Sequence, residues 1–201
     1  MKPLVKMVAG GLVFAVIFVV LSLSAPAAEK AGLPVLLTSC GQSPGPTKIE
    51  IFLKRLKLDF NYVAAATAGD LIEKKKSGKP YQSVIIVTGA SLKGMGAAGV
   101  SIEDEINRTK ALIAEAKKQG IKVIGAHVEG MARRAQGAAA GDNSDELSID
   151  AVCPLSNLIL VRQDGDEDGR FTTISKSKSI PLISFVKNQE LESALSGLFG
   201  K

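Results

Sequence analysis

From residue 33 onward, short apolar runs alternate with stretches whose apolar residues recur at helical spacing. Leu33 to Thr38 reads as a buried strand, and Ser83 to Thr88 carries four consecutive branched apolar residues, the pattern of a strand covered on both faces. Lys122 to His127, Leu158 to Val161 and Ile180 to Phe185 read the same way, with a short strand from Asp59 to Val63. Between them lie helix signals. Thr47 with Glu50, Thr67 with Asp70 and Ser101 with Asp104 have the spacing of capping boxes, and Gly78 and Gly120 follow helix ends. Ile49, Phe52, Leu53 and Leu56 share one face of the first helix. Ile102, Ile106, Leu112, Ile113 and Ala116 form the stripe of the third. A short helix is expected over residues 144–152, and a last one buries Leu191, Leu195, Leu198 and Phe199.

Strands alternating with helices imply parallel pairing. The expectation is an α/β domain, flavodoxin-like or Rossmann-like, with a single open, mostly parallel sheet of five to six strands and helices on both faces. The expected strand order is near 2-1-3-4-5-6. Connections at the strand C-terminal ends are long and rich in Gly, Ser and Pro. In open parallel sheets the ligand crevice lies at those ends, where the strand order reverses.

The N-terminus changes the picture of compartment. Lys2 and Lys6 precede an apolar run from Met7 to Leu23, and Ser24-Ala25-Pro26-Ala27-Ala28 supplies small residues. That order is a secretory signal over residues 1–27, leaving one α/β domain over 28–201. An uncleaved membrane anchor is the alternative, since the run is nearly long enough to span a bilayer; the Ala25-Pro26-Ala27 site favours cleavage and a periplasmic or extracellular product. Membrane contact would then pass only through the signal. Loss of the signal's two lysines takes the formal net charge from +5 to +3, which is mild, and the remaining lysines are scattered, so nothing suggests a nucleic-acid stripe. The absence of Trp argues against sugar stacking. The two cysteines, Cys40 and Cys153, fall after the first strand and before the fifth. Opposite ends of a sheet are too far apart for a disulfide.

Four loops carry the candidate chemistry. The first, residues 38–46, runs into a helix N-terminus that favours an anion, with Ser39, Gln42 and Ser43 as donors and Gly41 allowing close approach. The second, residues 88–101, offers Ser91, Lys93 and Gly94. Its glycines superficially suggest a dinucleotide motif, but they follow the third strand, and no Tyr and Lys stand at the catalytic spacing downstream. No cofactor is implied. The third begins at His127, the only histidine, and continues to Arg133 and Arg134, either of which has the fork geometry to clamp a carboxylate. The fourth, residues 164–169, places Asp164, Asp166 and Asp168 like the first half of a calcium loop. Ser175 stands where the bidentate carboxylate belongs, so an acidic turn is favoured over a metal site. Cys40 or Ser39 with His127 is the enzymatic alternative, a hydrolase or transferase, although no orienting acid is specified.

Taken together, these loops resemble an uncharacterised family of exported bacterial α/β domains. The resemblance rests on Thr38-Ser39, Gly41-Gln42-Ser43-Pro44, Gly89-Ala90-Ser91, Lys93-Gly94, Gly96 to Gly99, Arg133-Arg134, Ser144-Asp145 and Asp168-Gly169. It implies the fold and the site location and carries no assigned activity. The reading from the loops is a binding domain for a small anionic or polar solute, accessory to transport or sensing, with ligand residues Ser39, Gly41, Gln42, Ser43, Ser91, Lys93, Gly94, His127, Arg133 and Arg134. A further alternative is a protein-partner subunit of an envelope complex.

Overall fold

A computed structural model describes residues 30–131, 134 and 142–201; the signal-like segment, Arg133 and the stretch from 135 to 141 lie outside the described residues. Six parallel strands form one sheet: β1 (Val35–Cys40), β2 (Phe60–Tyr62), β3 (Ser83–Thr88), β4 (Lys122–His127), β5 (Leu158–Arg162) and β6 (Leu182–Phe185). Their order is β2-β1-β3-β4-β5-β6, so the chain reverses its direction of travel across the sheet between β1 and β3. Every residue of β1 and β3 is buried, as a strand with helices on both faces requires.

One face packs α1 (Gly45–Arg55) and α7 (Asn188–Phe199) over Val35, Leu37, Ile85, Val87, Ile124, Ala126 and Leu160. The other face carries Leu36, Val84, Ile86 and Val123 against α2 (Ala68–Lys76), α4 (Ile102–Gln119) and α5 (Ser144–Val152), and Ile159 and Val161 against α6 (Arg170–Lys178). Alternation along each strand sends successive side chains to opposite faces, which is why the apolar runs are continuous.

Three expectations need correction. The first helix starts at Gly45, not Thr47, and has Pro in its opening turn. Proline's fixed φ suits that position and its missing N–H costs nothing there. The second loop contains a helix, α3 (Leu92–Ala98), capped by Ser91 and anchored by the buried Met95. A helix also connects β5 to β6, buried through Phe171 alone, where no periodic apolar stripe announced one. Among the described residues, no helix is long and apolar enough to cross a membrane.

Candidate functional site

Cys40 and Thr88 are register partners, so the loops after β1 and β3 leave the sheet at the same level. They then pack backbone against backbone. Gln42 and Ala90 form an antiparallel bridge, and the Ser91 N–H donates to the Gly41 carbonyl at 2.7 Å. Gly41 has a φ of +101°, and a Cβ there would stand 2.6 Å from the Gly89 carbonyl oxygen; one on Gly94 would stand 2.6 Å from that of Gln42. These glycines therefore permit the two loops to touch.

Two helices brace the paired loops from below. The Glu105 carboxylate of α4, 1% exposed, accepts the Gly41 N–H at 2.9 Å and pairs with Arg108 at 2.7 Å. Arg108 in turn donates to the carbonyls of Ser39 at 2.7 Å and Ala66 at 2.6 Å. Burial pushes the Glu105 carboxyl up, but the hydrogen bonds from Arg108 and Gly41 outweigh it and hold the group below its ordinary range. From α5, Asp145 Oδ1 accepts the Ala90 N–H at 2.6 Å and Ser148 Oγ accepts the Gly89 N–H at 3.0 Å. Burial, with nearby Glu129 among the contributing carboxylates, raises the Asp145 pKa. Of these four bracing residues, Asp145 stands among the residues of the family resemblance, while Glu105, Arg108 and Ser148 were not singled out. The available signal was Glu105 spaced four and seven residues before Thr109 and Leu112, a carboxylate on a buried helix stripe.

The sequence-predicted residues occupy more structural roles than expected. Ser39 is buried and its Oγ donates to Ala64 O at 3.0 Å. Ser43 Oγ accepts the Gly45 N–H at 3.3 Å. Ser91 Oγ accepts the Gly94 N–H at 3.0 Å, which makes it the cap of α3. Lys93 is exposed on the first turn of that helix. Lys48 of α1 approaches Glu129 Oε1 at 3.7 Å and the Val128 carbonyl at 3.4 Å.

His127 is 1% exposed, stacked on Phe171 with ring centroids 5.2 Å apart, and Nδ1 lies 3.3 Å from Thr88 Oγ1. Burial, reinforced by the Arg134 charge, lowers its pKa to about 4. Thr88 Oγ1 is within donating distance of Ala126 O at 3.2 Å, so accepting from an Nδ1–H completes its bonding. Ser39 is in register with Val87, and Val87 with Ala126, so Ser39 and His127 point to opposite faces. Cys40 shares the His127 face but stands two strands away, about 10 Å at ordinary strand spacing. Its thiol is fully buried and pushed up to about 11, chiefly by burial. Neither pair forms a nucleophile and base.

Arg134 is committed to carboxylates of the protein itself. It is 6% exposed and caged by acids: Nε donates to Glu146 at 2.6 Å, Nη1 to Gly165 O at 2.9 Å, and Nη1 and Nη2 to the two Asp168 oxygens at 3.0 and 2.6 Å. Burial alone would lower its pKa, but these carboxylates raise it. Glu146 also pairs with Arg170, which reaches Asp150. The acidic run is thus dispersed. Asp164 pairs with Arg162, Asp166 accepts the Phe171 and Thr172 N–H groups, and Asp168 holds Arg134. No group of three metal-ligating side chains occurs among the described residues. Both cysteines are free and buried. Cys153, however, is not at the far end of the sheet: its Sγ lies 3.4 Å from where a Cβ on Gly125 would sit, under the middle of β4.

No curated protein matches the chain. Among solved structures, a GDSL-like lipase from Bacteroides thetaiotaomicron aligns at 13% identity over 81% of this chain and 72% of its own, with a TM-score of 0.36. A GDP-L-fucose synthetase from Naegleria fowleri aligns at 14% over 83% and 54%, with a TM-score of 0.37. The esterase EstA from Pseudoalteromonas sp. aligns at 11% over 85% and 93%, with a TM-score of 0.33. Likenesses this distant carry no functional argument. Residues 32–199 match the family described as "Domain of unknown function (DUF6305)", and the chain belongs to that family.

Proposed function

We propose that this domain is an exported binding module for a small polar solute, held at the rim of the sheet between the loops after β1 and β3. The carrying observation is the bracing. Buried Glu105 and Ser148, with half-buried Arg108 and Asp145, are committed to the amides and carbonyls of two loops that a simple chain reversal would leave in water. Ordered loops reduce the entropy lost when a ligand binds. Export is supported by the positive, apolar and small-residue order of the N-terminus.

The anionic form of the reading narrows. With Arg134 neutralised by Glu146 and Asp168, Lys93 becomes the candidate cation among the described loop residues. The nearby carboxylates Glu129 and Asp145 favour a solute with hydrogen-bond donors as well as acceptors. The hydrolase alternative is disfavoured by the burial of Cys40 and by the opposite facing of Ser39 and His127. A thermal-shift screen against organic acids, amino acids, phosphates and divalent metals should yield a stabilising compound. Lys93→Ala should then weaken its binding about tenfold, as loss of a charge-assisted hydrogen bond does. A screen without a stabilising compound, or a hit indifferent to both Lys93→Ala and Ser43→Ala, would remove the solute reading and bring the protein-partner alternative forward.

A further inference from the structure

Away from those loops, Arg162 at the end of β5 stands between two open hollows. The first, about 380 Å³, lies between α1 and α7 and is lined by Lys48, Ile51, Phe52, Arg55, Arg162 and Gln189. The second, about 310 Å³, is lined by Arg162, Gln163, Asp164, Glu167 and Val186, so its wall is more acidic than that of the first. Both volumes are of small-molecule size. Among the described large apolar side chains, Val186 at 53% and Ile51 at 51% are the most exposed. Single exposed apolar residues need no explanation. Here the two extremes border the two hollows that meet at one guanidinium.

The cations of the furrow are positioned for a shared head group. Arg55 lies over the Phe52 ring at 5.6 Å and pairs with Glu192 at 3.2 Å. Arg162 is held by Asp164 at 2.7 Å, and Lys48 faces Glu129 at 3.7 Å. Each is oriented by a carboxylate and partly exposed. An inorganic anion would leave the Ile51 and Val186 surfaces wet. An uncharged apolar molecule would bury the three ion pairs without adding a partner to any of them, which is costly.

We propose that this furrow binds an amphipathic organic anion. Its carboxylate sits against Arg162, flanked by Arg55 and Lys48, and its chain lies over Phe52 and Ile51 in the first hollow, whose lining holds no carboxylate. A free medium-chain carboxylate and an anionic bilayer lipid share this chemistry. Two separate concave hollows, rather than one flat face, favour the free molecule. This site is distinct from the solute site between the β1 and β3 loops and adjoins it through the Lys48–Glu129 pair.

The test is calorimetry on the isolated protein with sodium decanoate below its micelle concentration. Inorganic phosphate, decyltrimethylammonium and phosphatidylglycerol vesicles form the other arms. Decanoate should bind, and phosphate and the cationic surfactant should not. Arg162→Ala should weaken decanoate binding about tenfold, while Lys93→Ala leaves it unchanged and so separates this site from the other. Should Arg162→Ala unfold the protein, Ile51→Asp on the exposed side of α1 takes its place and should abolish binding. The proposal falls if decanoate binds equally to the Arg55→Ala, Arg162→Ala double variant and to Ile51→Asp. It falls equally if phosphate matches decanoate, or if only vesicles bind.

Discussion

Replacing Glu105 by alanine removes a carboxylate that serves two partners at once. The Gly41 N–H loses its acceptor at 2.9 Å, and Arg108, whose side chain is 14% exposed, loses its counter-charge at 2.7 Å. Removing one partner of a buried pair costs about 3–5 kcal/mol, because the remaining charge stays buried without compensation. The orphaned amide alone would cost about 1–3 kcal/mol, and the two effects overlap because they share one side chain. The expected loss is therefore about 3–5 kcal/mol, read from urea unfolding at pH 7. The pH dependence gives an independent check. Glu105 has a folded pKa below its ordinary 4.5, so its contribution is fully present above that value and is lost as pH falls through the depressed folded pKa. The gap between wild type and Glu105→Ala should accordingly narrow in acid. Glu105→Gln, which keeps an acceptor for Gly41, should cost less than alanine. A loss below about 1 kcal/mol, or a gap that is constant with pH, would refute the assignment of Glu105 as the ionised brace.

Three other outcomes follow from the same geometry. Gly41→Ala should destabilise the domain by at least about 1 kcal/mol in urea unfolding, because its φ is +101° and the new Cβ would meet the Gly89 oxygen at 2.6 Å. The His127 ring protons should show little titration by NMR between pH 5 and 8, since burial holds the pKa near 4; stability should fall as pH drops from about 6.5 towards 4, because the unfolded chain takes up the proton that the buried ring refuses, and this contribution should level off below that. Native protein should react slowly with a thiol reagent at pH 8 and reveal two thiols on denaturation, because burial raises both Cys40 and Cys153; rapid labelling of Cys40 would revive the nucleophile reading.

Local pattern was a good guide wherever an element buries a continuous apolar surface. The expected strands at 83–88 and 122–127 and the helix at 144–152 coincide with those observed. The observed strand order matches the expected one; alternation requires parallel neighbours with helical crossovers, and this order is one of the doubly wound arrangements that satisfy it. Pattern failed where burial rests on one side chain. Gly94 and Gly96 hide α3 behind low helix propensity, and Thr172, Thr173 and Ile174 give α6 a strand-like composition. Tertiary anchors, Met95 and Phe171, decide both cases.

The site was harder for a different reason. A candidate location was read from the switch point, but the roles of the charges there depend on partners far apart in the chain. Glu105 meets Gly41 across 64 residues and Arg134 meets Asp168 across 34. Read locally, Arg133-Arg134 is a basic pair beside a crevice, and residues 164–169 are an acidic turn. Read in the fold, part of each belongs to one cage, and that cage ties the loop after β4 to the loop after β5 through Gly165. The α4 brace does the equivalent work for the loop after β1, and α5 for the loop after β3. Burying a charge is tolerable only when it is paired, so each ion pair fixes the loop that supplies its partner. The polar residues near the rim therefore divide in two. Glu105 and Arg134 are buried, Arg108 and Asp145 half-buried, and all four are committed to holding loops, whereas Lys93 and the side chains around Arg162 retain the exposure that a ligand requires.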